Sequence, residues 1–303
     1  MRPSLLLLLP LLLVACKPAA TPAKPVVPAN GKPTVMVANY PLQYFTQRLA
    51  GDTLNVTFPA PADEDPAFWQ PDDTTVAAYQ NADLIVMNGA AYSKWAEKAS
   101  LPASKLVDTS AAFKAKFIEI KDTVSHSHGP GGEHSHAGTA FTTWVDFQQA
   151  QQQAQAIREA LQKKWPALAP QVSKNFESLE KDLQALDARL EKVGKRIAAA
   201  PLVASHPVYH YLARRYGLNL QSVLWEPEVV PDDKAMTELK SLLVSHPARW
   251  MLWEGDPAAK SVAKLDAIGL KSLVFDPCGN VPEKGDFLSV MNTNVEALEK
   301  AFP

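Results

Sequence analysis

Residues 170–199, PQVSKNFESLEKDLQALDARLEKVGKRIAA, carry the pattern that decides how the rest of the chain is arranged. Val172, Phe176, Leu179, Leu183, Leu186, Leu190, Val193 and Ile197 follow one another at intervals of four and three, which puts them on one stripe of an α-helix. Lys174, Glu177, Glu180, Lys181, Asp187, Arg189, Glu191 and Lys192 occupy the other faces, so one side is buried and the other is wet. At 1.5 Å per residue such a helix reaches roughly 45 Å, long enough to run along two lobes. A long surface helix or a coiled-coil seam would show the same stripe. The flanking segments favour a spine.

Upstream, residues 34–39 (TVMVAN), 54–58, 84–87 and 105–107 are short apolar runs that read as buried strands. Helices are expected over 44–49, stopped by Gly51, and over 74–81. Downstream, strands are expected over 202–204, 218–223, 250–253 and 272–275, and helices over 207–216, 233–245, 258–268 and 287–301. Such alternation predicts parallel sheets with helices on their faces. The fold class is therefore α/β: two similar parallel-sheet lobes, over 33–166 and 200–303, joined by one long backbone helix within 167–199. Open α/β sheets bind ligands beyond the carboxyl ends of their strands, so two such lobes define a cleft as the ligand site.

A chain of 303 residues with 47 % hydrophobic content can build one large core or two small ones. The net charge of -2 argues against nucleic acid as a partner. Residues 1–15, with Arg2 ahead of leucine-rich runs around Pro10, form an apolar segment too short to span a membrane and read as an export signal. Its end, Leu13-Val14-Ala15-Cys16, is similar to a bacterial lipobox, which implies cleavage before Cys16 and lipidation of that cysteine. Only Cys278 then remains, so the mature chain has no intrachain disulfide. Residues 16–32, rich in Pro, Ala and Lys, read as a tether.

Several motifs in order carry a resemblance: Tyr40-Pro41-Leu42, Asp65-Pro66 with Gln70-Pro71, Asn81-Ala82-Asp83-Leu84 leading to Asn88-Gly89, Tyr92 with Trp95, Ser205-His206-Pro207, Glu226-Pro227-Glu228 and Asp276-Pro277. Over residues 33–303 the chain resembles the zinc and manganese solute-binding proteins of bacterial ABC transporters. That resemblance implies a metal held between the lobes by four ligands, commonly three His and one Asp. Of these, His206, expected to open a helix, and Asp276, at a strand end, are present. Imidazole plus carboxylate suits Zn2+, with Mn2+ as the alternative. The family's other two positions hold Ala67 and Thr142, so the N-terminal lobe lacks its usual half of the site.

Stand-ins exist. Residues 125–138, SHSHGPGGEHSHAG, place His126, His128, His134 and His136 in two His-x-His pairs, a composition that binds divalent metal. This loop either collects metal outside the cleft or folds in through His134 or His136 to complete the site. Glu64 and Asp65 flank the vacated position, Cys278 lies two residues from Asp276, and Glu254 ends a strand of the C-terminal lobe.

The resulting expectation is a monomeric, non-enzymatic, exported lipoprotein on the periplasmic or outer face of a bacterial membrane, capturing zinc and delivering it to an ABC-transporter permease. The alternative is the same fold with a degenerate site that binds a metal chelate or organic solute, since Phe68, Trp69 and Phe141 stand near the lost imidazoles. The chain has no His-Glu-x-x-His, no Gly-x-Ser-x-Gly and no phosphate loop, which argues against a metalloenzyme or hydrolase.

Overall fold

The structure, a computed structural model, describes residues 31–120, 125–127, 133–135 and 138–303, with the backbone alone described at 125–127 and 133–135. The export signal, Cys16, most of the tether, His128 and His136 lie outside the described residues.

The first lobe holds β1 (Thr34–Val37), α1 (Tyr40–Ala50), β2 (Asn55–Thr57), α2 (Asp73–Asn81), β3 (Leu84–Met87) and β4 (Leu106–Asp108), forming a parallel sheet in the order β2-β1-β3-β4. Two short antiparallel pairs follow, β5 (Glu119–Ile120) with β8 (Gly138–Thr139), and β6 (Ser125–Ser127) with β7 (Glu133–Ser135). Two helices come next, α3 (Phe147–Lys164) and α4 (Ala169–Ile197). The second lobe runs β9 (Pro201–Ala204), α5 (His210–Tyr216), β10 (Asn219–Ser222), α6 (Asp233–Ser245), β11 (Trp250–Trp253), α7 (Ala259–Asp266), β12 (Lys271–Val274) and α8 (Phe287–Ala301). Its parallel sheet, β10-β9-β11-β12, repeats the strand order of the first.

The spine is α4, 29 residues long, and its buried side chains include all eight of the stripe together with Gly194. It packs on α1 and α3 from the first lobe and on α5 and α8 from the second, so a single apolar face joins both cores. Helix α3 was not anticipated from sequence. Its apolar positions, Phe147, Ala150, Ala154, Ile157 and Leu161, have helical spacing, but alanines and six intervening glutamines dilute the stripe, and Asp146 caps it by accepting from the amides of Gln148 and Gln149.

Polar ties fix how the lobes sit on the spine. The Arg215 guanidinium of α5 donates to Asp187 at 2.6 Å and to Glu191 at 2.7 Å on α4. The Tyr211 hydroxyl donates to the carbonyl of Ala140 at 2.8 Å, and the Tyr216 hydroxyl donates to Asp187 at 2.9 Å while accepting from the amide of Phe147 at 3.3 Å. Among the described residues no helix is long and apolar enough to cross a membrane.

Gly194 is where spine and second lobe come closest, since a Cβ there would lie 2.2 Å from the carbonyl oxygen of Tyr216. Backbone cannot yield as a side chain does. Gly194→Ala is therefore expected to lower stability by about 1–3 kcal/mol through overpacking, outweighing the roughly 1 kcal/mol that alanine gains over glycine within a helix. A drop of several degrees in melting temperature, measured by calorimetry, checks it.

Candidate metal centre

Each donor in the second lobe sits just beyond the carboxyl end of a parallel strand. His206 follows β9, Glu226 lies in the connection after β10, Glu254 directly follows β11, and Asp276 comes shortly after β12. His206 stands in the turn ahead of α5, which begins at His210 rather than at His206. The strands have no freedom to splay, so their ends hold these side chains together.

His206, Glu226 and Glu254 converge: one ligating atom from each lies within 4.8 Å of the other two. Zinc bonds of about 2 Å give a tetrahedron with edges of roughly 3.3 Å, so modest side-chain adjustment brings all three onto one ion. The His206 Nδ1 and a Glu254 Oε1 are 2.6 Å apart, with His206 buried and Glu254 only partly exposed.

The electrostatics follow from crowding like charges. Burial raises Glu226 to about 7; His206 opposes the shift, and Glu254, Glu228 and Asp65 add to it. Asp65, from the first lobe, is raised to about 6 by its dense surroundings and by Glu254, against the amide of Ala67 and the charge of His206. Its carboxylate keeps an exposed edge, so solvent screens part of that effect. For His206, burial pulls the imidazole down, yet the hydrogen bond and charge of Glu254, with Glu226 and Asp65 beyond, hold it above its usual value.

The remaining candidates fall in different places. Asp276 is not part of the converging triad: its Oδ1 accepts from the amide of Cys278 at 2.6 Å, and burial raises its pKa, with the Cys278 amide opposing and Glu254 and Asp256 adding. Cys278 is buried, with its thiol pushed far up by desolvation and then by Asp276 and Asp286. Glu64 is exposed, and it is its main-chain carbonyl that is engaged, by Asn280 at 2.9 Å. His126 and His134 are backbone register partners across the β6–β7 ladder. Glu226 was the donor missed from sequence. The Glu226-Pro227-Glu228 motif was visible, and its place after a strand of the second sheet was the signal that marks it as a candidate donor.

Ala67 and Thr142 are buried, and their chain neighbours Phe68 and Phe141 belong to a set of aromatic contacts. Phe68 meets Phe141 edge-on at 6.0 Å, Tyr92 meets Phe141 at 5.3 Å, and Tyr92 meets Trp144 at 5.7 Å. The first lobe thus presents an apolar wall, with Asp65 as its charged group coupled to the triad.

Comparison with known proteins agrees with this architecture. Residues 35–301 match the family described as ZnuA, zinc-uptake complex component A, periplasmic. The chain is 26 % identical over 291 residues to the zinc-binding lipoprotein AdcA of Streptococcus pneumoniae serotype 4, covering 90 % of this chain and 56 % of AdcA, so it spans little more than half of that relative. It is also 26 % identical over 282 residues to the high-affinity zinc uptake system protein ZnuA of Bacillus subtilis, covering 88 % of this chain and 86 % of that protein. Among solved structures, the metal-dependent lipoprotein YcdH of Bacillus subtilis superposes with a TM-score of 0.75 at 22 % identity, over 89 % of this chain and 98 % of that one, a likeness of fold.

Glu226 generates a stability prediction. Its folded pKa of about 7 exceeds the ordinary value of 4.5, so its favourable contribution is complete below about 4.5 and lost as pH rises through 7. Glu226→Gln removes that loss. The metal-free variant is expected to melt a few degrees above wild type at pH 8, the gap closing toward pH 5, as followed by circular dichroism.

Proposed function

This chain belongs to the zinc-uptake complex component A family, and from that premise we propose that it is the capture component of a zinc-uptake ABC transporter. It is an exported, lipid-anchored receptor held to the membrane through Cys16, which takes one divalent cation into the cleft between its lobes and passes it to a membrane permease. The observation that carries the reading is the convergence of His206, Glu226 and Glu254 at the strand ends of the second lobe. Zinc is the cargo, with manganese the competing ion.

Capture on this reading is ligand exchange. One imidazole and two carboxylates offset the charge of a divalent cation, and Asp65 adds a further negative charge from the facing lobe. The ion takes the place of the protons that burial and mutual repulsion keep on this cluster near neutral pH, so loading releases protons. Asp276 shapes its own turn by accepting the Cys278 amide, and Glu254, beyond the end of the neighbouring strand, supplies a carboxylate to the cluster. The 125–138 segment gathers metal outside the cleft.

Titrating zinc into a variant lacking residues 125–138, by calorimetry or chelator competition, is expected to give one tight site per chain. His206→Ala and Glu254→Gln in that background should weaken it by at least 100-fold, each removing one of few protein ligands. Affinity should fall as pH is lowered through 7 to 6, because Glu226 and Asp65 protonate there and His206 with them. The aromatic wall of Phe68, Phe141 and Tyr92 favours a second reading, in which the cargo is a chelated metal or an organic solute; it requires that this variant bind little free zinc.

A further inference from the structure

We infer that Asn280 is a latch across the mouth of the cleft, which sets the first lobe's Asp65 against the donors of the second. The inference rests on the receptor reading and names a positioning residue for it.

Asn280 lies in the connection between β12 and α8, in the second lobe, yet its side-chain amide points into the first. Its Nδ2 donates to the carbonyl of Pro61 at 2.7 Å and to that of Glu64 at 2.9 Å. Its Oδ1 accepts from the amide of Val281 at 2.7 Å, which fixes the orientation of the amide so that both donors meet carbonyls. The 61–64 turn it grips runs directly into Asp65. There Oδ1 accepts from the amide of Ala67 at 2.9 Å, while the main-chain carbonyl of Asp65 accepts from Phe68 at 3.0 Å and Trp69 at 2.9 Å. The 61–69 segment is thus one hydrogen-bonded unit, attached at its free edge by Asn280.

The loop bearing Asn280 is itself fastened to the first lobe. Trp144 Nε1 donates to the carbonyl of Pro277 at 2.7 Å, and the amide of Tyr40 donates to the carbonyl of Gly279 at 3.1 Å. Between these ties Cys278 holds a left-handed backbone, φ 58°, a conformation that a side chain other than glycine keeps only where its surroundings over-determine it. The Asp276 carboxylate supplies that constraint by accepting the Cys278 amide, so the residue expected to bind metal serves here to aim the latch. Trp144 and Tyr40 bond to loop carbonyls. Asn280 is the side chain that reaches from this loop to the Asp65 segment.

The test compares wild type, Asn280→Ala, Asp65→Asn and the double variant. In metal-free protein, hydrogen exchange at the amides of Ala67, Phe68 and Trp69 is expected to quicken severalfold in N280A. With zinc loaded and an external chelator added, zinc should leave N280A about tenfold faster than wild type, the effect of losing two hydrogen bonds. In the Asp65→Asn background the same change should alter the off-rate less than twofold. Asn280→Asp keeps the size of the side chain but turns its donor into an acceptor facing two carbonyls, so it should reproduce N280A even if the alanine variant melts early. Unchanged exchange overturns the latch, and so does an off-rate effect of equal size with and without Asp65. Wild type that fails to bind zinc at all sinks the receptor reading instead, leaving the metal-free exchange comparison to decide the latch alone.

Discussion

Mutual repulsion among partly buried carboxylates, Glu226 and Glu254 beyond strand ends of the second lobe and Asp65 on a loop of the first, is the constraint on which the rest of this molecule depends. Glu226, Glu254 and Asp65 repel one another, and His206 opposes that repulsion at both Glu226 and Asp65. Pairs of buried charges a few ångströms apart interact by several kcal/mol at the effective dielectric of a protein interior. Glu226 and Asp65 are accordingly raised toward neutrality, and His206 and Glu254 make a short contact of 2.6 Å. On the proposed reading a divalent cation replaces this repulsion with coordination, so that the same arrangement costs stability without the ion and gives affinity with it.

A strained cluster persists only on a frame that cannot relax around it. Parallel strands buried by helices supply that frame, since β9 and β11 are interior strands of their sheet and place His206 and Glu254 on adjacent ends. The spine supplies the second part: its stripe is common to both cores, and Asp187 and Glu191 on its polar side hold Arg215 of the second lobe. Phe287 at the start of α8 packs edge-on against Phe45 of α1 at 5.2 Å, so the last helix also bridges the lobes. Relative motion of the lobes has to strain these contacts together, which favours small adjustments at the cleft mouth over wide opening.

The elements most legible in the sequence were those whose formation is governed by one dominant effect. The stripe of α4 is unbroken by alanine or glutamine over its first seven turns, and every position read as buried is buried. The strands at Leu84–Met87 and Trp250–Trp253 are uninterrupted apolar runs, and α6 and α8 begin after aspartate caps, so their bounds were readable to the residue. Helix α3 was missed because its buried face includes Gln149 and Gln153, the latter bonded to Asn88 and Thr109 in a polar core network that no hydrophobic period reveals. At the site, His206, Glu254 and Asp65 were visible as candidates, but Glu226 was not. A glutamate between tryptophan and proline looks like a surface turn until the topology puts it at the end of β10.

The two lobes divide the work unequally, and the division has a chemical consequence. The second lobe carries the imidazole and two carboxylates beyond its strand ends, and the first offers rings at 68, 92, 141 and 144 with Asp65 as a charge coupled to those carboxylates. Where both lobes supply ligands equally, closing the cleft and completing the coordination shell are the same event. On the proposed reading they separate: a cation held by His206, Glu226 and Glu254 has most of its protein ligands from the second lobe, and the first lobe adds apolar surface plus one carboxylate. A low dielectric on one side strengthens the ion's hold on donors opposite without adding a bond. Release on that reading requires only that water return to the ion, because hydration competes better with one imidazole and two carboxylates than with a closed four-ligand cage.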